Sequence, residues 1–406
     1  VEEGQLLDDT VDRHFRRGSF SGGQRGLLYE IVSGVVRRKS YLQWVLSRYS
    51  KRHVGPELQY LLWIALYQIL FMKKASYHVV TETVEYAKHK FGQKVAGFVN
   101  AVLRRAGDAK GTFPLPQNPL KRLSLLYAFP DWLTARWIKR LGEGETERLL
   151  ELLDTPPLFG IRVSAGKAAV ADTVARLEEK GLHVTPSALL PGALLVDRLG
   201  PIIDDGLLRE RSITIQDEAS QLVGLSLQAR PGYRILDACA GVGTKTGHIE
   251  EIYDDVTVVS MDSEAKRLCR ITGPATAVLG DALRCPFREE VFDLVLVDAP
   301  CSSLGIIRKH PEIKWNRTEA DVTRFGRLQR ALLNGLWASL KTGGHLVYSV
   351  CSFEPEETLD VLAGLAGERK FILENPLPFL FNKEYFLSLP QETGMDGFFI
   401  ARLRKL

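Results

Sequence analysis

The 406-residue chain is poor in methionine, with three, and in cysteine, with five. The cysteines (Cys239, Cys269, Cys285, Cys301 and Cys351) are odd in number, and none stands in a C-x-x-C pair or a Cys/His cluster with zinc spacing. These absences argue against a disulfide framework and against a bound metal. A reducing cytoplasm is the expected location. No apolar run approaches the roughly 18–20 residues that span a bilayer. The longest, Leu61 to Met72, is shorter and contains Gln68, so no membrane association is expected. The opening Val1-Glu-Glu-Gly is acidic and lacks the apolar core of a secretory signal, and the missing initiator Met implies that the true N-terminus lies upstream. No internal repeat or low-complexity tract interrupts the chain.

What remains is an ordinary globular composition with an uneven charge. The chain is 45% hydrophobic and 25% charged, with a net charge of +4. Residues 1–150 hold 24 Lys+Arg against 14 Asp+Glu, a net of +10, which leaves −6 for the rest. A basic front half predicts a polyanionic partner. Apolar residues at helical spacing recur in Gln24–Arg37, Tyr41–Tyr49, Glu57–Met72, His78–Lys90 and Val95–Arg105, so residues 1–110 read as a helical domain. Basic groups stand near the helix ends, at Arg37-Arg-Lys39, Lys51-Arg52, Lys73-Lys74 and Arg104-Arg105. They suit either the helix macrodipole or phosphate contact.

Residues 111–119, proline-rich, read as a linker. Residues 120–212 then read as three helices (Leu120–Tyr127, Asp131–Arg140, Glu143–Leu153) followed by a small α/β piece: strand Phe159–Val163, helix Ala168–Lys180 and strand Leu194–Val196. From residue 213 to the end, strand and helix alternate. Strands are predicted at Arg234–Asp237, Val256–Met261, Ala275–Leu279, Phe292–Val297, His345–Ser349 and Gly397–Arg402, which implies a mainly parallel, doubly wound Rossmann-like α/β sheet.

Three motifs carry chemistry. The first is Ile235-Leu-Asp237-Ala-Cys239-Ala-Gly241-Val-Gly243-Thr-Lys-Thr246, a strand ending in an acid, then glycines that permit a tight turn before a helix. Asp262 ends the next strand 19 residues after Gly243, where an acid can bond ribose hydroxyls. A nucleoside-containing cofactor is expected. A dinucleotide fingerprint would place a third glycine at Thr246. Its absence, Asp281 after the third strand, and an acid-lined pocket (Asp237, Asp262, Asp281, Asp298) favour the cationic S-adenosylmethionine over NAD. The second motif is Asp298-Ala-Pro300-Cys301, closing the apolar run from Phe292. The third is Tyr348-Ser-Val-Cys351-Ser-Phe-Glu.

Either cysteine alone reads equally well as a small buried residue; Cys239, Cys269 and Cys285 lie away from this strand pair, and their thiols are read as such. If the fourth and fifth of these strands are neighbours, Cys301 and Cys351 share one rim. Cytosine explains such a pair: C5 becomes nucleophilic only after a thiolate adds to C6, and the adduct must later be released. Asp298 can bond the edge of the base and help draw charge from the ring.

At these residues the chain resembles the cytosine-5 RNA methyltransferases of the Sun (Fmu) family. Further similar segments are Ile215–Ser220, Ile306–Trp315 and Asp396–Arg402, and the helical front resembles the antitermination factor NusB. The resemblance implies three parts: an all-α NusB-like domain, a small RRM-like α/β subdomain and a class I methyltransferase domain. It implies Cys351 as nucleophile, Cys301 as the cysteine that assists release, and an RNA substrate, small-subunit (16S) ribosomal RNA. A monomer is expected. S-adenosylmethionine would be held by Cys239, Ala240, Gly241, Val242, Gly243, Thr244, Lys245, Asp262, Arg267, Asp281 and Asp298. Three departures stand out. The family loop Cys-Ala-Ala-Pro-Gly-Gly-Lys is here Cys239-Ala-Gly-Val-Gly-Thr-Lys245, Val350 stands where Thr is common, and the helical domain starts late. Two other readings stay open: an RNA-binding assembly factor on a degenerate enzyme fold, and cytosine-5 methylation of another RNA such as tRNA.

Overall fold

A computed structural model describes residues 7–50, 54–72, 75–108, 113–164, 169–203 and 206–406. The expectations placed on the chain start, Lys51-Arg52, Lys73-Lys74, Gly111-Thr112 and Ala168 lie outside these residues. The chain forms two compact units, one of Val1–Thr155 with His310–Asn316, the other of Pro156–Lys309 with Arg317–Leu406.

The first unit is helical. Its described helices are Leu7–Phe15, Gly22–Arg37, Lys39–Tyr49, Pro56–Leu70, Ser76–Phe91, Gln93–Asp108, Pro119–Leu126, Asp131–Leu141 and Glu143–Asp154. Helix Gly22–Arg37 opens on a reciprocal cap, Ser21 accepting from the Gln24 N–H and Gln24 from that of Ser21. Leu42, Leu46, Leu62, Leu66, Val99 and Leu103 meet in its core. Three helices expected beyond the linker belong to this unit, so the proline-rich stretch does not divide it. Polar contacts explain the grouping. Arg37 donates to the Leu153 carbonyl at 3.0 Å, and Arg38 to that of Leu126 at 3.0 Å and to Asp154. These carbonyls lie in helical last turns, where unpaired acceptors attract cations. For Arg37 and Arg38 the internal role of the basic groups therefore holds.

Segment His310–Asn316 is packed within the same unit. Lys314 is buried with Nζ 3.9 Å from the centroid of the Phe129 ring. Burial, opposed by Asp154 and reinforced by Arg37 and Arg38, drives its pKa well below the ordinary lysine value. Buried Glu312 accepts the Leu7 N–H at 3.1 Å, and the Trp315 indole donates to the Val36 carbonyl at 2.7 Å.

The second unit holds two sheets. The smaller comprises β1 (Phe159–Val163), β2 (Val184–Pro186), β3 (Ala193–Val196) and β4 (Ile213–Ile215), with helix Val170–Glu179 after β1. Its antiparallel order β2-β3-β1-β4 is ferredoxin-like. The larger comprises β5 (Arg234–Asp237), β6 (Thr257–Asp262), β7 (Thr276–Leu279), β8 (Phe292–Asp298), β9 (Leu340–Val350), β10 (Phe371–Glu374), β11 (Tyr385–Ser388) and β12 (Phe398–Lys405). Its order is β10-β12-β9-β8-β5-β6-β7, with β11 on β12. Strands β7, β6, β5, β8 and β9 run parallel, and β12 reverses against β9.

The apolar run in β8 is buried on both faces, as its central place requires. Because these strands are parallel, Asp237, Asp262, Asp298 and Cys351 all emerge on one rim. The order reverses between β5 and β8, the crevice where such sheets bind ligands.

Candidate active site

Strands β8 and β9 are neighbours in register, Asp298 opposite Ser349. That pairing brings the two cysteines together: the Sγ atoms of Cys301 and Cys351 lie 3.1 Å apart. Cys301 is buried and Cys351 half-buried. The hydrogen bond with Cys351, then burial, then the charge of Cys351 push the Cys301 thiol far above the usual range, so Cys301 stays protonated beside its neighbour. The Ser303 hydroxyl lies 3.6 Å from the Cys351 sulfur, on a residue in the left-handed region (φ 63°).

The backbone of Cys351 is also held. Its carbonyl accepts the Gly305 N–H at 3.1 Å, and the Gly305 carbonyl accepts the Gly397 N–H at 2.9 Å. A Cβ at Gly305 would stand 1.9 Å from the Gly397 oxygen, so this approach admits only glycine. Beside it, Lys309 Nζ bridges Asp217 and Asp396 at 2.6 Å each. The three segments singled out around Asp217, Lys309 and Asp396 thus converge behind the nucleophile loop.

Asp298 accepts the Ser349 hydroxyl at 2.8 Å on one oxygen and the Lys245 ammonium on the other. Burial opposes the charge on Lys245, but Asp298, with contributions from Asp237 and Cys351, holds its pKa above the ordinary value. Lys245, expected among cofactor ligands, is thus paired with Asp298 at the end of β8.

The glycine loop follows β5. Gly241 and Gly243 take φ of 57° and 85°, which side chains disfavour. A Cβ at Gly241 would meet nothing within 4 Å, so the turn faces open space. The Gly241 N–H donates to Asp262 at 2.9 Å, and Glu264 N–H to its other oxygen at 2.9 Å; Asp262 thereby pins the loop. Asp237 is buried, accepts the Thr246 hydroxyl at 2.8 Å on one oxygen, and among the described residues has no hydrogen-bond partner on the other. Burial pushes it up to about 6, against the pull of Thr246 and Lys245. An orphaned buried carboxylate oxygen under an open glycine turn fits a ligand that carries a cation. These residues fit S-adenosylmethionine.

Among the remaining expected residues, Ala240 lies buried in the turn, Val242 is exposed, and Thr244 opens helix Thr244–Ile252. Arg267 is exposed and pairs with Glu264 at 2.9 Å. Asp281 accepts the Leu283 N–H at 2.9 Å. Burial, reinforced by Asp237, Asp298 and Asp262, raises the Cys239 thiol out of reactive range. Cys269, expected to be a small buried residue, is exposed, because Leu268 takes the inward position of that short turn. Among the described residues no group of three or more His, Cys, Asp or Glu side chains could hold a metal ion, and no helix is long and apolar enough to cross a membrane.

Comparison with known proteins covers the whole chain. Residues 224–404 match the family described as 16S rRNA methyltransferase RsmB/F, residues 1–108 the NusB family, and residues 129–202 the ferredoxin-like domain of RsmF/B-like methyltransferases. Ribosomal RNA small subunit methyltransferase B of Escherichia coli strain K12 is 32% identical over 424 residues, an alignment covering 100% of this chain and 96% of that protein. The crystal structure of PH0851 superposes with a TM-score of 0.80 and 26% identity, covering 97% of this chain and 93% of that one. A methyltransferase homolog from Pyrococcus horikoshii gives a TM-score of 0.59 and 26% identity over 72% of this chain and 100% of its own.

Proposed function

Because the chain belongs to the ribosomal RNA small subunit methyltransferase B family, an S-adenosylmethionine-dependent RNA cytosine-5 methyltransferase class, we propose that Cys351 and Cys301 divide the work of covalent catalysis on 16S ribosomal RNA. The observation that carries this reading is the 3.1 Å approach of two sulfurs at adjacent strand ends.

Bound S-adenosylmethionine supplies an electrophilic methyl group. The chain's part is to make cytosine C5 a nucleophile. Lys245 and Asp298 offer a donor beside an acceptor, matching the ring nitrogen and the exocyclic amino group of cytosine. The Cys351 thiolate forms a bond to C6, and the electron pair of the C5–C6 double bond becomes available at C5 while the ring nitrogen takes a proton from the Lys245 ammonium. After methylation the C5 proton leaves to solvent water, the double bond re-forms, the Cys351–C6 bond breaks and the ring nitrogen returns its proton to Lys245. Cys301, held as a thiol, donates a hydrogen bond to the departing sulfur. A base inside a duplex must be extruded to reach this rim. Exposed Lys88, Lys94, Arg104 and Arg105 on helices Ser76–Phe91 and Gln93–Asp108 contact RNA phosphates.

The test is nucleoside analysis of 16S ribosomal RNA after incubation with labelled S-adenosylmethionine. Label is expected in 5-methylcytidine; label in N4-methylcytidine, or in no nucleoside, would overturn the reading.

Asp237 holds the cofactor's ammonium through its unpartnered oxygen, which gives a pH signature. Its folded pKa of about 6 lies above the unfolded 3.8. Ionised Asp237 therefore costs the free protein about 3 kcal/mol at pH 7, and stability rises as pH falls through 6 towards 4. Binding needs the ionised form. Affinity for S-adenosylmethionine should accordingly fall about tenfold per pH unit below 6. In calorimetry, Asp237→Asn should bind weakly and lose this dependence; a flat wild-type profile would refute the assignment.

A further inference from the structure

Each cysteine is followed by a serine, as Cys301-Ser302 and Cys351-Ser352. The two serines converge on one carboxylate. Glu357 Oε1 accepts the Ser302 N–H at 2.7 Å and the Gln329 amide at 3.2 Å. Its Oε2 accepts the Ser302 hydroxyl and, at 2.6 Å, the Ser352 hydroxyl. The same Gln329 nitrogen donates to the Pro300 carbonyl at 3.0 Å. The Tyr348 hydroxyl, on β9, donates its single hydrogen to the Glu357 carbonyl at 2.6 Å and lies 3.0 Å from the Gln329 side-chain oxygen. Glu357 itself is fully buried.

All four donors to this carboxylate are neutral. A buried carboxylate without a cation is costly to hold, and a fold that needed only packing would be served by an apolar side chain. Both of its oxygens are used: Oε1 ties the Ser302 main chain to Gln329, and Oε2 ties the Ser302 hydroxyl to that of Ser352. The peptide N–H after one cysteine and the hydroxyl after the other fall on different oxygens, and a carboxylate offers acceptor sites on both, where an amide would offer only one oxygen.

We propose that Glu357 is a positioning residue that fixes the two cysteine-bearing strand ends against each other and so sets the separation of the two sulfurs. This rests on the roles given above to Cys351 and Cys301. Misplacing a reacting atom by one ångström costs about 100-fold in rate, so slack between these loops would appear in turnover before it appeared in binding.

The test uses the full chain with Glu357→Gln and Glu357→Asp. Glutamine keeps the shape but puts an amide donor where an oxygen accepts; aspartate keeps the charge but falls short by one methylene. Four quantities are read: thermal unfolding, S-adenosylmethionine affinity, kcat and KM for RNA, and the rate at which diamide cross-links Cys301 to Cys351 in RNA-free protein. In that last reaction two thiols become a disulfide and diamide takes both hydrogens. Both variants should bind cofactor as the wild type does and keep KM within about threefold. Their kcat should drop by about 30- to 100-fold, and cross-linking should slow by about tenfold or more. Wild-type kcat and cross-linking in both variants would overturn the proposal. So would a fall in kcat that follows thermal stability while cross-linking stays fast. With Cys351→Ala run alongside, retained methyl transfer in that variant would overturn the covalent reading itself. An inactive Cys351→Ala beside wild-type Glu357 variants would overturn only the positioning role.

Discussion

Cys351→Ala should abolish methyl transfer and yield no covalent protein–RNA species. The expected loss is about 10^4-fold or more, because cytosine C5 has no other route to nucleophilicity in this site. Loss of fold is not expected. Cys351 is half-buried at the end of β9, and the Gly305 N–H bonds its main-chain carbonyl, which alanine keeps. Thermal unfolding and S-adenosylmethionine binding should therefore stay close to wild type. The measurement is incorporation of labelled methyl into RNA, with denaturing electrophoresis for the adduct. A variant that still transfers methyl would show that no thiolate addition by Cys351 is needed.

Cys301→Ala should behave in the opposite way. Removing the thiol takes away the hydrogen-bond donor 3.1 Å from the sulfur that must depart, and leaves the attacking sulfur in place. Addition and methylation then proceed once, and release slows by about 100-fold or more. The signature is a burst of close to one methyl group per protein together with an RNA adduct that survives denaturation. Normal turnover by Cys301→Ala with trapping by Cys351→Ala would reverse the assignment of roles.

Much of this site was legible in the sequence because the chemistry sits at strand ends, and strand ends are where periodicity stops. Phe292–Val297 and Arg234–Asp237 could be drawn from their apolar runs, and the acid, proline and cysteine after the first and the acid and glycines at the end of the second marked the rim. That β8 and β9 lie side by side was an assumption from the fold class, and the sulfur contact depends on it. The partners of Lys245 and Glu357 were not legible. Lys245 finds Asp298 and Glu357 finds Ser302 by closure of the sheet, and nothing local encodes either pairing. The repeated Cys-Ser dipeptide was the one local hint.

The fold shows the same division. Strands β2, β4, β10 and β11, each of three or four residues, escaped reading, whereas the equally short β5 could be drawn because an acid and a glycine loop mark its end. Strand β9 begins at Leu340 and passes through Gly343-Gly344, five residues before the predicted start at His345. The proline-rich stretch near residue 115 follows the end of the NusB match at residue 108, while Arg38 and Asp154 join the helices on either side of it into one compact unit. Composition marks where the backbone bends, whereas compact units are decided by contacts between distant residues.

One consequence concerns how this protein could be cut or recombined. His310–Asn316 belongs to the helical unit, although the chain on both sides of it belongs to the other. A fragment starting at Pro156 would carry Glu312, Lys314 and Trp315 without the Leu7 amide, the Phe129 ring and the Val36 carbonyl that they use. It would expose an indole and hydrate a lysine that the intact chain keeps dry. The enzyme half is thus not a portable cassette, and exchange of the helical half between relatives would have to carry these seven residues with it.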